Sequence, residues 1–190
     1  MFIMLDGIDG SGKSTVISAW KKYLSDQGNA IFDLKNYFQT NDRYPELHEL
    51  KSYDFIFSAE PTFTGIGKVI REELINQKNH YPAEAIAQAY SLDRLILYTK
   101  IIIPLLQDGK CVIQDRGVST SLAYQTAQNS HLTLANISEL TGNKLALVNR
   151  PDHLVLLRTD PQIAIDRLSG RLDKQDNVIF EKLDFLKKIS

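Results

Sequence analysis

The chain has 190 residues, 43% of them hydrophobic, which is enough for one well-buried core and too few for two comfortable domains. Its 22 basic and 23 acidic residues leave a net charge of -1, which gives no reason to expect a nucleic acid polymer or an anionic membrane as partner. With Cys111 as the single cysteine no internal disulfide can form, and neither a membrane span nor a targeting segment is evident, so we expect a cytoplasmic protein.

Five apolar runs of strand length alternate with longer segments whose apolar residues recur at helical spacing. In chain order the runs are MFIML, NAIFDL, DFIFSA, KCVIQD and DHLVLL. Such alternation predicts an α/β fold with a mostly parallel central sheet flanked by helices.

The first run leads directly into GIDGSGKST at residues 7–15. The sequence fits G-x-x-x-x-G-K-[ST] in its required context, a strand before and a helix after. We expect the backbone N–H groups of the loop to cradle the phosphates of a nucleoside triphosphate, with Lys13 reaching the β and γ phosphates and Ser14 ligating Mg²⁺. The alternative is an ordinary glycine-rich turn. The predicted nucleotide-binding residues are Gly7, Ile8, Asp9, Gly10, Ser11, Gly12, Lys13, Ser14 and Thr15.

The helix after this loop carries an apolar stripe that predicts a core-facing side, and Gly28 marks its end. The stripe consists of Val16, Ala19, Trp20, Tyr23 and Leu24. Residues 36–54 are polar and irregular, which predicts a surface excursion. A long helical segment covers about residues 83–107, where Pro104 should kink or shorten it.

The remaining motifs narrow the class of P-loop protein. A GTPase would need Asn-Lys-x-Asp to read guanine, and residues 143–146 lack its carboxylate. The segments SAEPT, AYSLDR and QDRGVSTSLAYQ each end a strand run or lie on a helix that could line the crevice above the sheet. Four further motifs belong with them: GIDGSGKST, GIGKVIR, TDPQIAIDRLSGR and FEKLDFL. Taken in chain order, all seven resemble the motifs of the thymidylate kinase family, and the resemblance covers residues 2–185.

This resemblance implies phosphorylation of dTMP to dTDP with ATP and Mg²⁺ by a single P-loop kinase domain over residues 1–190. It also implies a small mobile lid at about residues 167–178 and a homodimer formed through the long helices. Of the lid cations, Arg167 and Arg171 rank first as catalytic residues, with Lys174 as a further candidate, and a solvated helix face is the alternative.

Tyr90 and Arg94 are four residues apart on a helical segment, so they share one face and can meet one ligand. By resemblance, Tyr90 stacks on the base of the acceptor and Arg94 hydrogen-bonds the edge of that base or its phosphate. A core role for Tyr90 and a solvated Arg94 form the alternative.

Asp115 and Arg116 end a buried strand, where adjacent charges need partners. The planar fork of Arg116 suits an acceptor monophosphate, and we expect Arg116 to be catalytic. Asp115 either orients Arg116 or binds the magnesium shell through water. A capping carboxylate beside a surface arginine is the alternative.

The resemblance adds further acceptor contacts. Tyr124 takes the position that blocks a 2′-hydroxyl and favours deoxyribose, and Asp9 is the acidic residue that faces the sugar and the metal. Ser121 and Gln125 lie beside Tyr124 and either could contact the base.

The sequence also departs from the family. Bacterial members carry arginine before the Glu-Pro pair, where this chain has Ala59, so Glu60 remains but the phosphate clamp is weaker unless Arg71 compensates. Gly117 replaces an aromatic residue after Asp-Arg, which implies a roomier base pocket, and Asn177 replaces a lid arginine.

The chain ends at Ser190, before the last strand and helix that usually help enclose adenine in the family, so either the sequence is shortened or the nucleotide pocket is more open. These departures keep two alternatives open. One is a P-loop kinase for another nucleotide or an unphosphorylated deoxynucleoside, and the other is a nucleotide-binding protein without turnover.

Overall fold

A computed structural model describes residues 1–129, 131–170 and 179–190. Within these residues five strands form one sheet in the order β2-β3-β4-β1-β5, and every neighbouring pair is parallel. The strands are β1 (Phe2–Asp6), β2 (Ile31–Asp33), β3 (Phe55–Ala59), β4 (Cys111–Asp115) and β5 (His153–Leu156). All five predicted strands are therefore confirmed, and with them the parallel α/β architecture.

Helices flank the sheet and connect its strands. In chain order they are α1 (Lys13–Asp26), α2 (Leu34–Asn41), α3 (Leu47–Leu50), α4 (Gly65–Val69), α5 (Ala83–Leu97), α6 (Ile103–Gln107), α7 (Val118–Gln128), α8 (Leu134–Glu139), α9 (Thr141–Val148), α10 (Pro161–Ser169) and α11 (Leu183–Ile189). Single π-helical turns follow α4 (Ile70–Leu74) and join α5 to α6 (Tyr98–Ile102). None of the helices in the described ranges combines the length and the apolar character that a membrane crossing requires.

The register of the sheet brings the carboxyl ends of three strands to one edge. Leu5 in β1 lies beside Asp115 in β4, and Asp115 lies beside Ala59 in β3. In a parallel α/β sheet this edge is where ligands bind. The loops that follow β1, β3 and β4 therefore meet there.

The predicted core stripe on α1 is partly wrong. Tyr23 is 63% exposed and Ala19 is exposed, whereas Trp20 is half-buried. Val16, Trp20 and Leu24 are partly buried as predicted, and Lys21 beside them pairs with Asp33 at the end of β2 (Nζ to Oδ2, 2.5 Å).

Residues 36–54 are not the irregular surface excursion that we predicted. Most of α2 and all of α3 lie in this segment, and Phe38 and Leu50 enter the main core. The ring centroids of Phe38 and Tyr44 lie 5.0 Å apart. Aromatic packing, which the polar composition concealed, therefore fixes the segment against the sheet.

The long helical segment before β4 is confirmed, and it changes from α-helix to a π-helical turn just before Pro104. The π-helical turn ends at Ile102, and Pro104 takes one of the first two positions of α6, where its missing N–H costs nothing.

Candidate active site

The loop between β1 and α1 has the backbone geometry of a phosphate cradle. Gly12 caps α1 with φ 97°, a conformation that side chains other than glycine rarely adopt. Gly10 has φ 79°, and a Cβ atom there would lie 2.3 Å from the carbonyl oxygen of Ala164. Both positions therefore favour glycine, and the loop leads directly into the N-terminus of α1, a place that favours an anion.

Lys13 is the one buried residue of α1. Its Nζ donates to the carbonyl oxygens of Gly7 (2.8 Å) and Ile8 (2.9 Å), so the ammonium lies inside the loop. Burial, followed by the nearby Arg116, lowers the pKa of Lys13 to about 8. The carboxylates of Asp9, Asp115 and Asp6 oppose this shift of the Lys13 pKa without cancelling it.

Arg116 is tied to the loop through Asp9. Its Nη2 donates to Asp9 Oδ1 (2.6 Å) and its Nη1 donates to the carbonyl oxygen of Gly7 (3.1 Å). The hydroxyl of Tyr124 donates to Asp9 Oδ2 (3.1 Å), and the Tyr124 ring centroid lies 5.4 Å from the guanidinium. Burial opposes the charge of Asp9, but Arg116 and Lys13 together hold its pKa below the usual value.

The backbone of Arg116 is strained. Its φ is 65°, in the left-handed region that non-glycine residues avoid, at a cost of about 1–3 kcal/mol. Strain of this kind persists where function demands a fixed side chain. Here it aims the guanidinium of Arg116 from the end of β4 back at the phosphate loop.

Asp6 supports this arrangement, and sequence reasoning missed it. Its Oδ1 accepts hydrogen bonds from the N–H of Gly7 (2.8 Å) and from Thr120 Oγ1 (2.8 Å), and its Oδ2 accepts one from Ser119. Asp6 thereby joins the phosphate loop to the start of α7. The signal for it was a carboxylate at the end of a buried strand, directly before the first glycine of the loop.

Asp115 lines the same cavity as the loop. Its Oδ1 is buried and has no hydrogen-bond partner in the part of the chain that the structure describes. Burial raises the pKa of Asp115, although Arg116 and Lys13 oppose the shift. A buried oxygen of this kind suits a ligand, either a cation or its bound water.

Arg94 is more deeply held than its predicted role suggested, with 1% exposure. Its Nε and Nη2 donate to Glu60 Oε2 (2.8 and 2.5 Å), its Nη2 also donates to Ser121 Oγ (2.9 Å), and its Nη1 donates to Asn143. Gln114 Nε2 donates to the other oxygen of Glu60 (3.0 Å). Arg94 thus forms a buried, charge-assisted network in the wall of the cavity, and its contact with an acceptor stays a prediction.

Arg71 also lines this cavity. Its Nε donates to the carbonyl oxygens of Pro61 (3.0 Å) and Thr62 (3.1 Å), and its guanidinium carbon lies 3.8 Å from the ring centroid of Phe63. Pro61 follows a cis peptide bond with Glu60. Burial lowers the pKa of Arg71, although Tyr90 and Asp93 oppose the shift.

One cavity of about 610 Å³ brings most of the predicted residues together. The predicted residues that line it are Asp9, Gly10, Gly12, Lys13, Ser14, Glu60, Arg71, Tyr90, Arg94, Asp115, Arg116, Ser121 and Tyr124. It is also lined by residues that sequence reasoning did not single out, namely Lys35, Phe63, Ile75, Thr120, Phe180 and Glu181.

Other predicted residues do not line this cavity. Gly7 and Ile8 face a second cavity of about 620 Å³ on the β5 side of the loop. Gln125 is buried behind Ser121 and donates to its hydroxyl (3.4 Å). The cavity-lining residues do not include Ser11 and Thr15 either.

Of the cations predicted for the lid, only Arg167 lies within the described residues. Arg167 reaches the phosphate loop, where its Nη1 donates to the carbonyl oxygen of Gly10 (3.3 Å). Arg171, Lys174 and Asn177 lie outside the described residues.

The space next to Gly117 is filled from within the chain. A Cβ atom at Gly117 would lie 2.3 Å from Cε of Met4. Met4 therefore occupies the volume in which a larger residue after Asp-Arg would begin.

Comparisons with known proteins identify the family to which this chain belongs. The family model described as "Thymidylate kinase" matches residues 39–190. A thymidylate kinase of Kosmotoga olearia is 29% identical over 190 residues, covering 100% of this chain and 78% of that protein. A probable thymidylate kinase of Thermococcus gammatolerans is 33% identical, and the alignment covers 99% of this chain and 78% of that protein. A thymidylate kinase of Clavibacter sepedonicus is 30% identical, and the alignment covers 100% of this chain and 77% of that protein. The chain belongs to the thymidylate kinase family.

Proposed function

We propose that this chain transfers the γ-phosphoryl group of ATP to the phosphate of dTMP, which gives dTDP and ADP. One observation carries the proposal: a single cavity contains the phosphate loop together with Tyr90 and Arg116. A donor on the loop and an acceptor beside Arg116 would share that cavity, and phosphoryl transfer depends on such proximity.

In the proposed reaction an oxygen of the dTMP phosphate attacks the γ-phosphorus. The bond between that phosphorus and the β–γ bridging oxygen breaks, and ADP leaves with the electron pair. The chain supplies alignment and positive charge. Lys13 compensates charge on the β and γ phosphates, Arg116 holds the acceptor phosphate, and Arg167 adds positive charge beside Gly10 of the loop.

The acceptor nucleoside would lie between Tyr90 and Tyr124. Stacking on Tyr90 contributes about 1–3 kcal/mol for a base. The hydroxyl of Tyr124 and the carboxylate of Asp9 are hydrogen-bonded to each other, and we assign this pair to the deoxyribose. Ser121 and Arg94 form the wall beside the base.

The oxygen donors at the loop fit a magnesium ion. Ser14 and Asp115 line the same cavity, and Asp115 has the buried oxygen without a partner among the described residues. Hydroxyl and carboxylate oxygens are ligands that Mg²⁺ accepts, with water completing its shell. When bound, magnesium neutralises charge on the phosphate oxygens; Ser14 would hold it directly and Asp115 through water.

We place the function in one kinase domain over residues 1–190, acting as a homodimer in the cytoplasm. The free thiol of Cys111 is compatible with a reducing compartment. The outer face of α5 supports the dimer, because Leu92 is 44% exposed there and Val69 of the adjacent α4 is 47% exposed. Light scattering of a Leu92→Glu variant tests this contact: we expect a monomer, and an unchanged oligomeric state contradicts it.

A coupled assay of ADP release with dTMP, other monophosphates and thymidine tests the proposed reaction. We expect release with dTMP. Release with thymidine alone would establish a nucleoside kinase, to which the missing charge at Ala59 would be suited. No release with any acceptor would leave a nucleotide-binding protein without turnover.

A further inference from the structure

Two consecutive residues of α5 hold the segment of residues 60–62, which follows β3. Nη2 of Arg94 pairs with Oε2 of Glu60 (2.5 Å). The carboxylate of Asp93 binds Thr62 with both of its oxygens: Oδ2 accepts a hydrogen bond from the Thr62 N–H (2.7 Å), and Oδ1 accepts one from the Thr62 hydroxyl (2.6 Å). Helix α5 therefore fixes both residues that flank Pro61.

Thr62 is enclosed from a second side. It is fully buried, and α4 packs directly against it. A Cβ atom at Gly67 of α4 would lie 2.5 Å from both the backbone nitrogen and the carbonyl oxygen of Thr62. Thr62 is therefore held between α4 and the carboxylate of Asp93.

The carbonyl oxygens of the same segment hold Arg71. Its Nε donates to the oxygens of Pro61 (3.0 Å) and Thr62 (3.1 Å), and its Nη2 also donates to that of Pro61. The guanidinium lies over the ring of Phe63, and both side chains line the cavity. The residues that line the cavity do not include Thr62 or Asp93. Asp93 is therefore linked through a single residue to a cation that can meet a ligand.

The two buried charges also support each other. Asp93 is 2% exposed, and burial raises its pKa, although the hydrogen bonds from Thr62 and the charges of Arg94 and Arg71 oppose the shift. Burial lowers the pKa of Arg71, and Asp93 is one of the groups that oppose this shift, after Tyr90. Each group therefore stabilises the charged form of the other.

We propose that Asp93 is a positioning residue for the acceptor nucleotide, because it fixes through Thr62 the carbonyl oxygens that orient Arg71 in the cavity. The inference rests on the proposed function, in which the acceptor lies in this cavity. It deepens that function by giving Arg71 a contact with the acceptor and by naming the group that holds Arg71 in place.

Calorimetric titration of an Asp93→Asn variant, with dTMP and with a non-hydrolysable ATP analogue plus Mg²⁺, tests this role. Asparagine keeps the shape of the side chain but loses its charge and one acceptor oxygen. We expect the Kd for dTMP to rise about tenfold, and the Kd for the ATP analogue to stay within about twofold, because other contacts hold the phosphate loop. An unchanged Kd for dTMP, or an equal loss for both ligands, overturns the assignment.

A double-mutant cycle with Arg71 separates positioning from a merely structural role. Arg71→Met alone should raise the Kd for dTMP about 10- to 100-fold. If Asp93 acts through Arg71, adding Asp93→Asn to that variant should raise the Kd by no more than about a further twofold. A further tenfold loss would mean that the two residues act independently, and it would overturn the proposal.

Substitutions of Thr62 test the same link without altering Asp93, and they decide the matter if Asp93→Asn does not fold. Thr62→Val removes the hydroxyl donor and should raise the Kd for dTMP about three- to tenfold. Thr62→Ser keeps the donor and should stay within about twofold of the wild type. Equal losses in the two variants would contradict a role for the hydrogen bond to Asp93.

Ile102→Val is the matched control for a general loss of stability. Ile102 is fully buried in the main core and is not one of the residues that line the cavity. Its replacement should lower thermal stability and leave both Kd values unchanged. A loss of dTMP affinity as large as that of Asp93→Asn would refute a specific role for Asp93.

These binding measurements remain separate from turnover. A wild-type chain that binds dTMP but releases no ADP refutes the proposed reaction, and the Kd values of the variants still decide the role of Asp93. A wild-type chain without measurable affinity for dTMP overturns both proposals.

Discussion

Raising the pH should weaken ATP binding through the deprotonation of Lys13. In the free protein burial lowers the pKa of this ammonium to about 8, from the model-compound value of 10.5. Bound phosphates favour the charged form, so binding takes up a proton wherever the free protein has lost it. The affinity is therefore constant below about pH 8 and declines above it.

The magnitude follows from the same pKa. Above it, the charged fraction of Lys13 drops about tenfold for each pH unit, so at a pH about 1.5 units higher the Kd should be roughly 30-fold larger than at neutral pH. The ligand does not contribute to this slope, because the last phosphate ionisation lies near pH 6. Calorimetric titration with a non-hydrolysable ATP analogue and Mg²⁺, between about pH 7 and pH 9.5, measures it.

A Lys13→Arg variant is the control for this experiment. Arginine stays charged throughout the range, so its Kd, although weaker at neutral pH, should not change with pH. A wild-type Kd that is flat to pH about 9.5 would refute the depressed pKa and the placement of the ammonium inside the loop.

Three further substitutions test the cavity wall and the packing behind it. Arg94→Met removes one partner of the buried pair with Glu60, and we expect urea denaturation to show a loss of about 3–5 kcal/mol in the free energy of unfolding. Tyr124→Phe removes the hydroxyl assigned to exclude ribose, so the ratio of kcat/KM for dTMP to kcat/KM for its ribonucleotide should fall about tenfold. Gly142→Ala would place a Cβ atom 1.9 Å from the carbonyl oxygen of Ser91, so thermal denaturation should show a loss of about 1–3 kcal/mol.

Matched variants show whether these effects are local. Lys144→Met breaks an exposed pair with Glu139 and should cost at most about 1 kcal/mol, and an equal cost for Arg94→Met would contradict the buried network. Gly170→Ala, whose Cβ would have its nearest neighbour at 3.6 Å, should leave stability nearly unchanged. An unaltered sugar preference in Tyr124→Phe would remove the role assigned to its hydroxyl.

The sequence predicted the features that depend on neighbouring residues. The strand runs and the loop of residues 7–15 were identified correctly, because hydrophobic periodicity and the glycine, lysine and serine spacing are local properties of the chain. The position of Arg116 directly after β4 could be predicted in the same way, because it follows from the neighbouring residues. Its strained φ of 65° and its bond to Asp9, which is 107 residues away, were not.

Patterns misled where composition and packing disagreed. Residues 36–54 are polar enough to suggest a surface loop, yet a few aromatic and aliphatic side chains fold them onto the core as helices. The apolar stripe of α1 was correctly interpreted as helical, but two of its residues, Ala19 and Tyr23, are exposed, whereas Val16, Trp20 and Leu24 are partly buried. Periodicity gives the existence of a face, and contacts between elements decide which face is buried.

The sequence by itself thus determined a parallel α/β chain with a phosphate loop ahead of its first helix. The tertiary structure alone decided what each charged side chain near that loop contacts. Arg94 meets Glu60 across 34 positions and Asn143 across 49, and Lys35 reaches the ring of Phe63 from a separate helix. Such partners are chosen by the order and register of the strands, which bring distant segments to one edge of the sheet and which no local spacing encodes.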